Sequence, residues 1–445
     1  MTKCVSTQCL ADFLEDANCR TRELLLDLDD KQLMGPKLPI VNPILWEVGH
    51  VAWFYDQFIL RMLYRKEPTL KDGDKIYDSI DIEHYDRWDL PLLSTPDVLD
   101  YIDTIRQKLI DRLGPISGSN MASEQDSFIY QFAVFHEDMH TEAYLYSRKT
   151  LEYPSPNLNT SKPLINSELQ NEKLRGDVEI PGGKFLLGSQ PDSPFFFDNE
   201  KWAHNIPSYP FKMARLPVTN KEFSEFVADN GYKRRDLWHD LGWNWRNRAE
   251  AEHPTYWVAD GKNQWLEKSF DNYIELVPNK PVSHVNWFEA SAYCNWANRR
   301  LPTELEWEIA AKSEPTDGGE KFSISKRPYP WGDDTNTIGK SNLDGRTIDT
   351  VDVNMFGEGD SPWGIRQMIG NIWEWTASNF EPYPGFSPDS YKEYSQPVFG
   401  TRKVLRGGSW ATRSRMIKNT FRNFYTPERR DVIAGFRTCA PFDWT

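Results

Sequence analysis

The 445-residue sequence predicts a multidomain protein of the α and α+β class, in which a four-helix bundle precedes an irregular α+β domain. Apolar residues recur at helical spacing in four segments of the first third of the chain, and a polar, proline-rich stretch follows them. Beyond that stretch the chain has short β-like segments with frequent Gly and Pro. We therefore place the bundle at 1–153, a linker at 154–176 and the second domain at 177–445.

Helical periodicity predicts the bundle helices at about 8–29, 43–64, 96–113 and 125–151. At the start of the second helix, Asn42 is suited to cap the helix, and Pro43 stands at the first helical position, where its missing N–H costs nothing. In the second domain the pattern predicts a strand-like segment at 178–188 and helices at 220–230 and 286–298.

Two histidines in the last bundle helix, His136 and His140, stand one helical turn apart. Such a pair projects two imidazoles toward one point, as a metal site requires, and the best third ligand is His50 in the second helix. A single histidine on an apolar helix face is more often a hydrogen-bonded core residue. The pair weakens that interpretation, because two imidazoles among aromatic side chains would leave polar atoms unpaired. Spacing alone leaves a metal site and paired core histidines equally open.

Charge and cysteine content narrow the class of protein. The chain has 52 Lys and Arg against 66 Asp and Glu, a formal net charge of −14, which argues against a nucleic-acid or anionic-membrane surface. Its five cysteines form no C-x-x-C pair and no targeting segment is evident, which is typical of a reducing compartment. No apolar run approaches the ~20 residues that span a bilayer. We therefore expect a soluble, cytoplasmic protein.

Motifs of the second domain resemble landmarks of the formylglycine-generating-enzyme (sulfatase-modifying-factor) family. They include Ile180-Pro181-Gly182-Gly183, Pro217-Val218-Thr219-Asn220, Arg300-Leu301-Pro302-Thr303-Glu304, Gly370-Asn371-Ile372-Trp373-Glu374-Trp375 and Arg406-Gly407-Gly408-Ser409-Trp410. The resemblance implies an irregular, C-type-lectin-like fold. The first domain is similar to the DinB-like bundles, whose three-histidine metal site matches His50, His136 and His140.

The two domains in this order resemble the EgtB-type sulfoxide synthases of the ergothioneine pathway. The resemblance implies a non-haem Fe(II) enzyme that uses O2 to join a thiol sulfur to C2 of the imidazole of histidine betaine, or hercynine. Three neutral imidazoles on one face of iron leave positions open for substrate and O2, as oxygenase chemistry requires. Segments 41–47 and 88–91 are more similar to the SenA-like selenoneine-synthase branch, so the expected donor is a small selenol or thiol.

The same resemblance implies the substrate contacts. Asn423 is expected to seat the betaine and Arg429 to bind the donor. Met139 stands where the family often has Gln. The expected substrate-binding residues are Asn423, Phe424, Arg429, Arg87 and Met139. Family members that take γ-glutamylcysteine carry a basic patch in the long first-domain loop and an acidic residue after the Asn-aromatic pair. Here segment 88–91 lacks the basic patch and Tyr425 stands in place of the acidic residue, so we do not expect that donor.

The resemblance also implies a tyrosine from the second domain near the metal, because a phenol can deliver a proton or an electron to the reaction. The candidates are Tyr383, Tyr391 and Tyr425, and the neighbours of Tyr425 favour it.

Three other functions stay open. A formylglycine-generating oxidase requires a reactive cysteine pair, but 413–422 contains no cysteine and Cys439 stands alone. A zinc-dependent thiol transferase also suits three histidines with an open position. A ligand-binding module that has lost catalysis has no evident need to retain the three histidines.

Overall fold

The computed structural model describes residues 4–162, 174–261, 264–323 and 327–442, so the central part of the predicted linker lies outside the described chain. The chain forms two units. The first runs through Asn159 and includes two later segments, Gln190–Asp198 and Pro388–Tyr394. The second consists of Thr160–Ser189, Asn199–Ser387 and the chain from Ser395.

The first unit is a helical bundle, as the periodicity predicts. Its α-helices are α1 (Thr7–Leu25), α2 (Asp30–Met34), α3 (Ile44–Tyr55), α4 (Gly73–Tyr77), α5 (Thr95–Leu113) and α6 (Glu124–Thr150). The side chains of Ser6, Ser94 and Ser123 cap α1, α5 and α6, each accepting a hydrogen bond from the backbone N–H three residues further on. The long helices therefore begin where polar caps precede apolar periodicity.

The structure corrects two predicted helices. The first ends at Leu25 rather than at 29, because Asp29 starts α2 with its own capping box. The second is not one α-helix over 43–64, since the chain continues from Tyr55 as a π-helical segment, Asp56–Leu63. Pro43 occupies the N-cap position and no side chain caps α3. The Asn42 side-chain amide instead donates to the buried carboxylate of Glu47 at 2.6 Å. This hydrogen bond takes the place of the predicted cap.

Buried polar groups fix how the bundle helices face one another. Glu137 on α6 accepts hydrogen bonds from the Thr21 hydroxyl of α1 at 2.7 Å and from the Tyr55 hydroxyl of α3 at 2.8 Å. The buried Arg148 guanidinium donates to the Asp27 carboxylate at the end of α1. A rotation of α6 would leave these groups unpaired in the core, so they hold the rotational position of the helix.

The second unit is built from short sheets and short helices. Its strands are β1 (Asp177–Ile180), β2 (Gly183–Leu187), β3 (His204–Ser208), β4 (Phe211–Ala214), β5 (Trp257–Ala259), β6 (Trp265–Ser269), β7 (Asn272–Glu275), β8 (Glu314–Thr316), β9 (Lys321–Ser323), β10 (Trp373–Asn379), β11 (Lys403–Arg406), β12 (Asn423–Tyr425) and β13 (Ala434–Gly435). The largest sheet in the described chain has the order β12-β11-β10-β13, with only the β10–β13 pair parallel. The other sheets pair β1 with β4, β2 with β3, β5 with β6 and β7, and β8 with β9.

Its helices are α7 (Asn220–Ala228), α8 (Asp240–Arg248), α9 (Trp287–Trp296) and α10 (Glu304–Lys312). Helices α7 and α9 correspond to the predicted 220–230 and 286–298, and each begins with a capping box. Buried ion pairs tie these irregular elements together, as where Arg406 and Arg422 both donate to Glu304 at the start of α10. None of the helices in the described ranges is long and apolar enough to cross a lipid bilayer.

Candidate metal centre

The three predicted metal ligands meet in the first unit. His50 lies on α3, and His136 and His140 lie one turn apart on α6. One potential ligand atom from each ring lies within 4.8 Å of the others. The ring centroids are 5.2 Å apart from His50 to each of the other two and 4.7 Å apart between His136 and His140. Three imidazoles at this spacing come within reach of a single metal ion.

Two of the rings are oriented by acceptors behind them. His50 Nδ1 lies 2.8 Å from the Tyr77 carbonyl oxygen, and His140 Nδ1 lies 3.1 Å from Glu47 Oε2. A carbonyl or a carboxylate can only accept, so Nδ1 of each ring carries the proton. The lone pair of Nε2 then remains for a ligand. In known metal sites, a histidine that binds the metal donates its other ring N–H to a carboxylate or a carbonyl in the same way.

The surroundings of His136 show whether the site fits a metal ion. Its ring stacks on Phe54, with centroids 3.7 Å apart, and its Nδ1 is buried without a hydrogen-bond partner. An unpaired buried nitrogen costs free energy, and imidazole nitrogens bind iron and zinc. The residues present therefore fit a metal ion held by three histidines. Iron and zinc are both compatible with this donor set.

Burial keeps His50 and His136 neutral. It lowers the pKa of His50 to about 3, with the nearby His140 adding to that shift. It also lowers the pKa of His136 well below its usual value, with His140 and His50 as further causes. A neutral imidazole is the form that binds a metal ion, so His50 and His136 are ready to bind metal at neutral pH.

We expect the metal-free protein to lose stability in mild acid. The unfolded chain protonates His50 near pH 6.5, whereas the folded protein protonates it only near pH 3. The stability that this group contributes is therefore complete above about pH 6.5 and falls by about 1.4 kcal/mol per pH unit below it. Urea unfolding of chelator-treated protein at pH 7, 6 and 5 measures the effect. His50→Gln should reduce the slope and His84→Gln should not; an unchanged slope in His50→Gln contradicts the prediction.

Aromatic rings enclose one side of the histidines, and one of them is a predicted catalytic candidate. Tyr391 belongs to the late segment Pro388–Tyr394 of this unit. Its ring centroid lies 6.3 Å from that of His136 and 5.2 Å from those of Phe54 and Phe58. Burial raises the pKa of the Tyr391 phenol, and a hydrogen bond with Ser79 opposes the shift. The phenol therefore carries its proton at neutral pH.

The other candidate tyrosines belong to the second unit. Tyr383 is buried below the Arg422 guanidinium, 4.0 Å from its ring centre, and burial raises its pKa well above the usual value. Tyr425 lies on β12 and pairs with Lys403 of β11. The Arg429 guanidinium lies 5.3 Å from the centre of the Tyr425 ring.

The predicted substrate contacts fall into two groups. Asn423 and Phe424 lie on β12 beside Tyr425, so the structure brings this part of the predicted set together in the second unit, with Arg429 close by. Met139 and Arg87 belong to the first unit. Met139 is half-buried on α6.

Sequence reasoning missed the supporting residues Glu47 and Tyr77. A glutamate one turn before His50, in an otherwise apolar helix, was the available signal for Glu47, because a buried carboxylate needs a partner. Tyr77 offers only its backbone carbonyl to His50, and a backbone group leaves no signal in the sequence.

Gly49 is required where α3 passes Tyr77. A Cβ at position 49 would come within 2.1 Å of the buried Tyr77 ring. We expect Gly49→Ala to destabilise the protein by about 1–3 kcal/mol, more than the helix preference of alanine returns, and to weaken metal binding by moving the carbonyl that orients His50. Urea unfolding and metal titration measure the two effects. Gly118→Ala, whose Cβ meets nothing within 4 Å, is the control; equal stability of the two variants would contradict the prediction.

Comparison with known proteins matches both parts of the chain to family models. The DinB superfamily model matches residues 14–143, and the sulfatase-modifying factor enzyme 1-like domain matches residues 162–441. These matches confirm the fold class predicted from the motifs.

Relatives match the chain over nearly its whole length. It is 36% identical over 441 residues to the hercynine oxygenase of Mycolicibacterium thermoresistibile, covering 96% of this chain and 94% of that protein. It is also 36% identical over 441 residues to the hercynine oxygenase of Mycobacterium tuberculosis, covering 97% and 98%. The formylglycine-generating enzyme of Thermomonospora curvata is 30% identical over 303 residues, covering 60% of this chain and 94% of that protein.

Proposed function

This chain belongs to the hercynine oxygenase family of oxidoreductases, and on that premise we propose that it joins the sulfur or selenium of a small donor to C2 of the imidazole ring of hercynine. The reaction proposed is of the ergothioneine or selenoneine type, with O2 as oxidant. The observation that carries the proposal is the convergence of three imidazoles, two of them held by acceptors that leave Nε2 free.

The chain's own residues have defined tasks in this proposal. His50, His136 and His140 would hold Fe(II), which supplies the one-electron chemistry that lets O2 react. Phe54 and Phe58 exclude water from one side of the histidines. Tyr391 holds a proton on its phenol oxygen in the same aromatic wall, where it can pass it to the reacting groups.

The cysteines argue against a formylglycine-generating oxidase. All five are free. Cys294 and Cys439 are buried, and burial raises the pKa of both thiols. A buried thiol with a raised pKa is a poor nucleophile, so neither suits the reactive pair which that chemistry requires.

Anaerobic reconstitution tests the proposal. The metal-free protein receives Fe(II), then O2, hercynine and a panel containing cysteine, γ-glutamylcysteine and a selenosugar, and mass spectrometry identifies the products. We expect an adduct at hercynine C2 that requires both Fe(II) and O2. A zinc-loaded protein that transfers the thiol without O2 consumption would instead support a zinc-dependent thiol transferase and overturn the proposal.

Arg429 is the proposed contact for the donor. Its guanidinium donates hydrogen bonds to the buried Asp431 carboxylate at 2.7 and 2.6 Å. A sulfur or selenium substrate that carries a carboxylate would therefore share the guanidinium with Asp431. We expect Arg429→Ala to weaken apparent affinity for a carboxylate donor by roughly ten- to a hundredfold, the worth of about 1.5–3 kcal/mol in charge-assisted hydrogen bonds. The loss should be smaller for a sugar selenol, because neutral hydroxyls make weaker bonds. Donor KM values measure this.

Arg248→Ala is the control, since Arg248 is an exposed arginine paired with Glu428. Unfolding of Arg429→Ala must be followed as well, because the variant leaves Asp431 without its partner. An unchanged KM for every donor in a folded Arg429→Ala protein contradicts the role of Arg429. More efficient turnover of γ-glutamylcysteine than of cysteine and the selenosugar contradicts the proposed donor class.

A further inference from the structure

Arg87 contacts the supports of two of the three histidines from one position. It lies in the short 3-10 turn His84–Trp88, where its guanidinium donates to the Asn42 side chain and lies over the Trp46 ring. We propose that Arg87 is a positioning residue that holds His50 and His140 in the arrangement that binds the metal ion. The inference rests on the proposed function and adds a residue that acts on the metal without touching it.

The first path runs from Arg87 to His140 through two side chains. Arg87 Nη1 donates to Asn42 Oδ1 at 2.7 Å, and Asn42 Nδ2 donates to Glu47 Oε1 at 2.6 Å. The other carboxylate oxygen, Oε2, accepts from His140 Nδ1 at 3.1 Å. A guanidinium only donates and a carboxylate only accepts, so the amide of Asn42 fits in one orientation. Each bond therefore fixes the next, and the last one holds the ring of His140 with Nε2 free.

The second path runs from Arg87 to His50 through stacked rings. Arg87 Cζ lies 4.0 Å from the centre of the Trp46 ring, and Trp46 stacks on His50 with centroids 5.1 Å apart and planes inclined by 8°. The Trp46 indole N–H donates to the Ile76 carbonyl at 2.6 Å, which fixes the indole in its plane. A planar guanidinium covers such a face as a lysine ammonium does not. The stack therefore sets the tilt of the His50 ring.

The second terminal nitrogen of the same guanidinium also has acceptors. Nη2 lies 3.5 Å from the Ser79 carbonyl oxygen and 3.4 Å from that of Ile82. Burial lowers the pKa of Arg87, and the negative charge of Glu47 opposes that shift. These contacts occupy much of the donor fork that a substrate carboxylate would need. If Arg87 supports the histidines, its loss should weaken metal binding. If Arg87 is the substrate contact predicted from the sequence, its loss should leave metal binding unchanged.

Metal affinity of the full-length protein is the test. Co(II) is titrated anaerobically against a chelator into Arg87→Met, Arg87→Lys, Asn42→Leu and the double variant Asn42→Leu/Arg87→Met, and the d–d absorption reports the coordination. We expect Arg87→Met and Asn42→Leu each to weaken Co(II) binding about 10–100-fold and to alter the absorption. The double variant should lose less than the product of the two factors, because both changes interrupt one path. Arg87→Lys should lose nearly as much as Arg87→Met, because it lacks the planar fork.

Arg112→Met is the matched control. Arg112 also lies over an aromatic ring of the bundle, 3.4 Å from the centre of Tyr64, and its described contacts do not join it to the histidines. Equal Co(II) affinity of wild type and Arg87→Met, with a raised KM for the donor alone, overturns the inference and makes Arg87 a substrate contact. A wild-type protein that binds neither Co(II) nor Fe(II) overturns the proposed function together with the inference. If Arg87→Met does not fold, Asn42→Leu decides, since it keeps the stack on Trp46.

Discussion

Replacing His136 by leucine is expected to abolish metal binding and turnover while leaving the metal-free protein as stable as the wild type or more so. His136 Nδ1 is buried without a hydrogen-bond partner, and its ring stacks on Phe54. An apolar side chain removes that unsatisfied polar atom and keeps most of the packing, so its effect on the fold is small or favourable. The two remaining imidazoles cannot hold the ion, and affinity should fall by more than the roughly 100-fold that loss of a supporting residue costs.

Three measurements check this prediction. Elemental analysis after reconstitution gives the metal content, O2 consumption gives turnover, and urea unfolding gives the stability of the metal-free form. His84→Leu is the control, because His84 lies in the same unit and bonds the Leu38 carbonyl rather than the other histidines. Stoichiometric metal in His136→Leu would show that this histidine is a core residue and not a ligand. A strongly destabilised metal-free variant would show that its ring is needed by the fold.

The parts of the molecule that the sequence predicted are those governed by local rules. Apolar periodicity predicted the start of α1 and both ends of α5 and α6 closely, and i, i+4 spacing predicted that His136 and His140 face one point. The family resemblance, drawn from motifs in both domains, is confirmed by relatives that match almost the whole chain. Local signals of this kind survive because neighbouring residues generate them.

The parts that escaped prediction depend on competition between distant groups. Asn42 has the side chain of a helix cap, but Glu47 and Arg87 satisfy both ends of its amide, so it supports the histidines instead. The segment Pro388–Tyr394 lies far along the chain from α3 and α6, yet it belongs to their unit. The sequence offered three tyrosines and favoured Tyr425. Only tertiary packing distinguishes Tyr391 as the one whose ring lies beside His136.

Replacing Tyr391 by phenylalanine is accordingly expected to reduce turnover by about 10²- to 10⁴-fold, the range by which a positioned proton donor accelerates a reaction, with metal binding unchanged. The variant keeps the ring that packs on Phe54 and Phe58 and removes only the hydroxyl, so its aromatic wall stays intact. If the phenol protonates the reacting groups, the ratio of products should change together with the rate. Without that proton, the oxidation can end in a different product.

Tyr394→Phe provides the matched control in the same segment. Its ring packs on Phe132 and Phe197, whereas that of Tyr391 faces His136. Loss of the Tyr394 hydroxyl should leave rate and products as in the wild type. The comparison is decisive because both variants remove one hydroxyl from one short segment, and they differ in whether that hydroxyl belongs to the ring beside His136. Equal turnover and equal product ratios in Tyr391→Phe and Tyr394→Phe would remove Tyr391 from the reaction and return the search for a proton donor to Tyr383 and Tyr425.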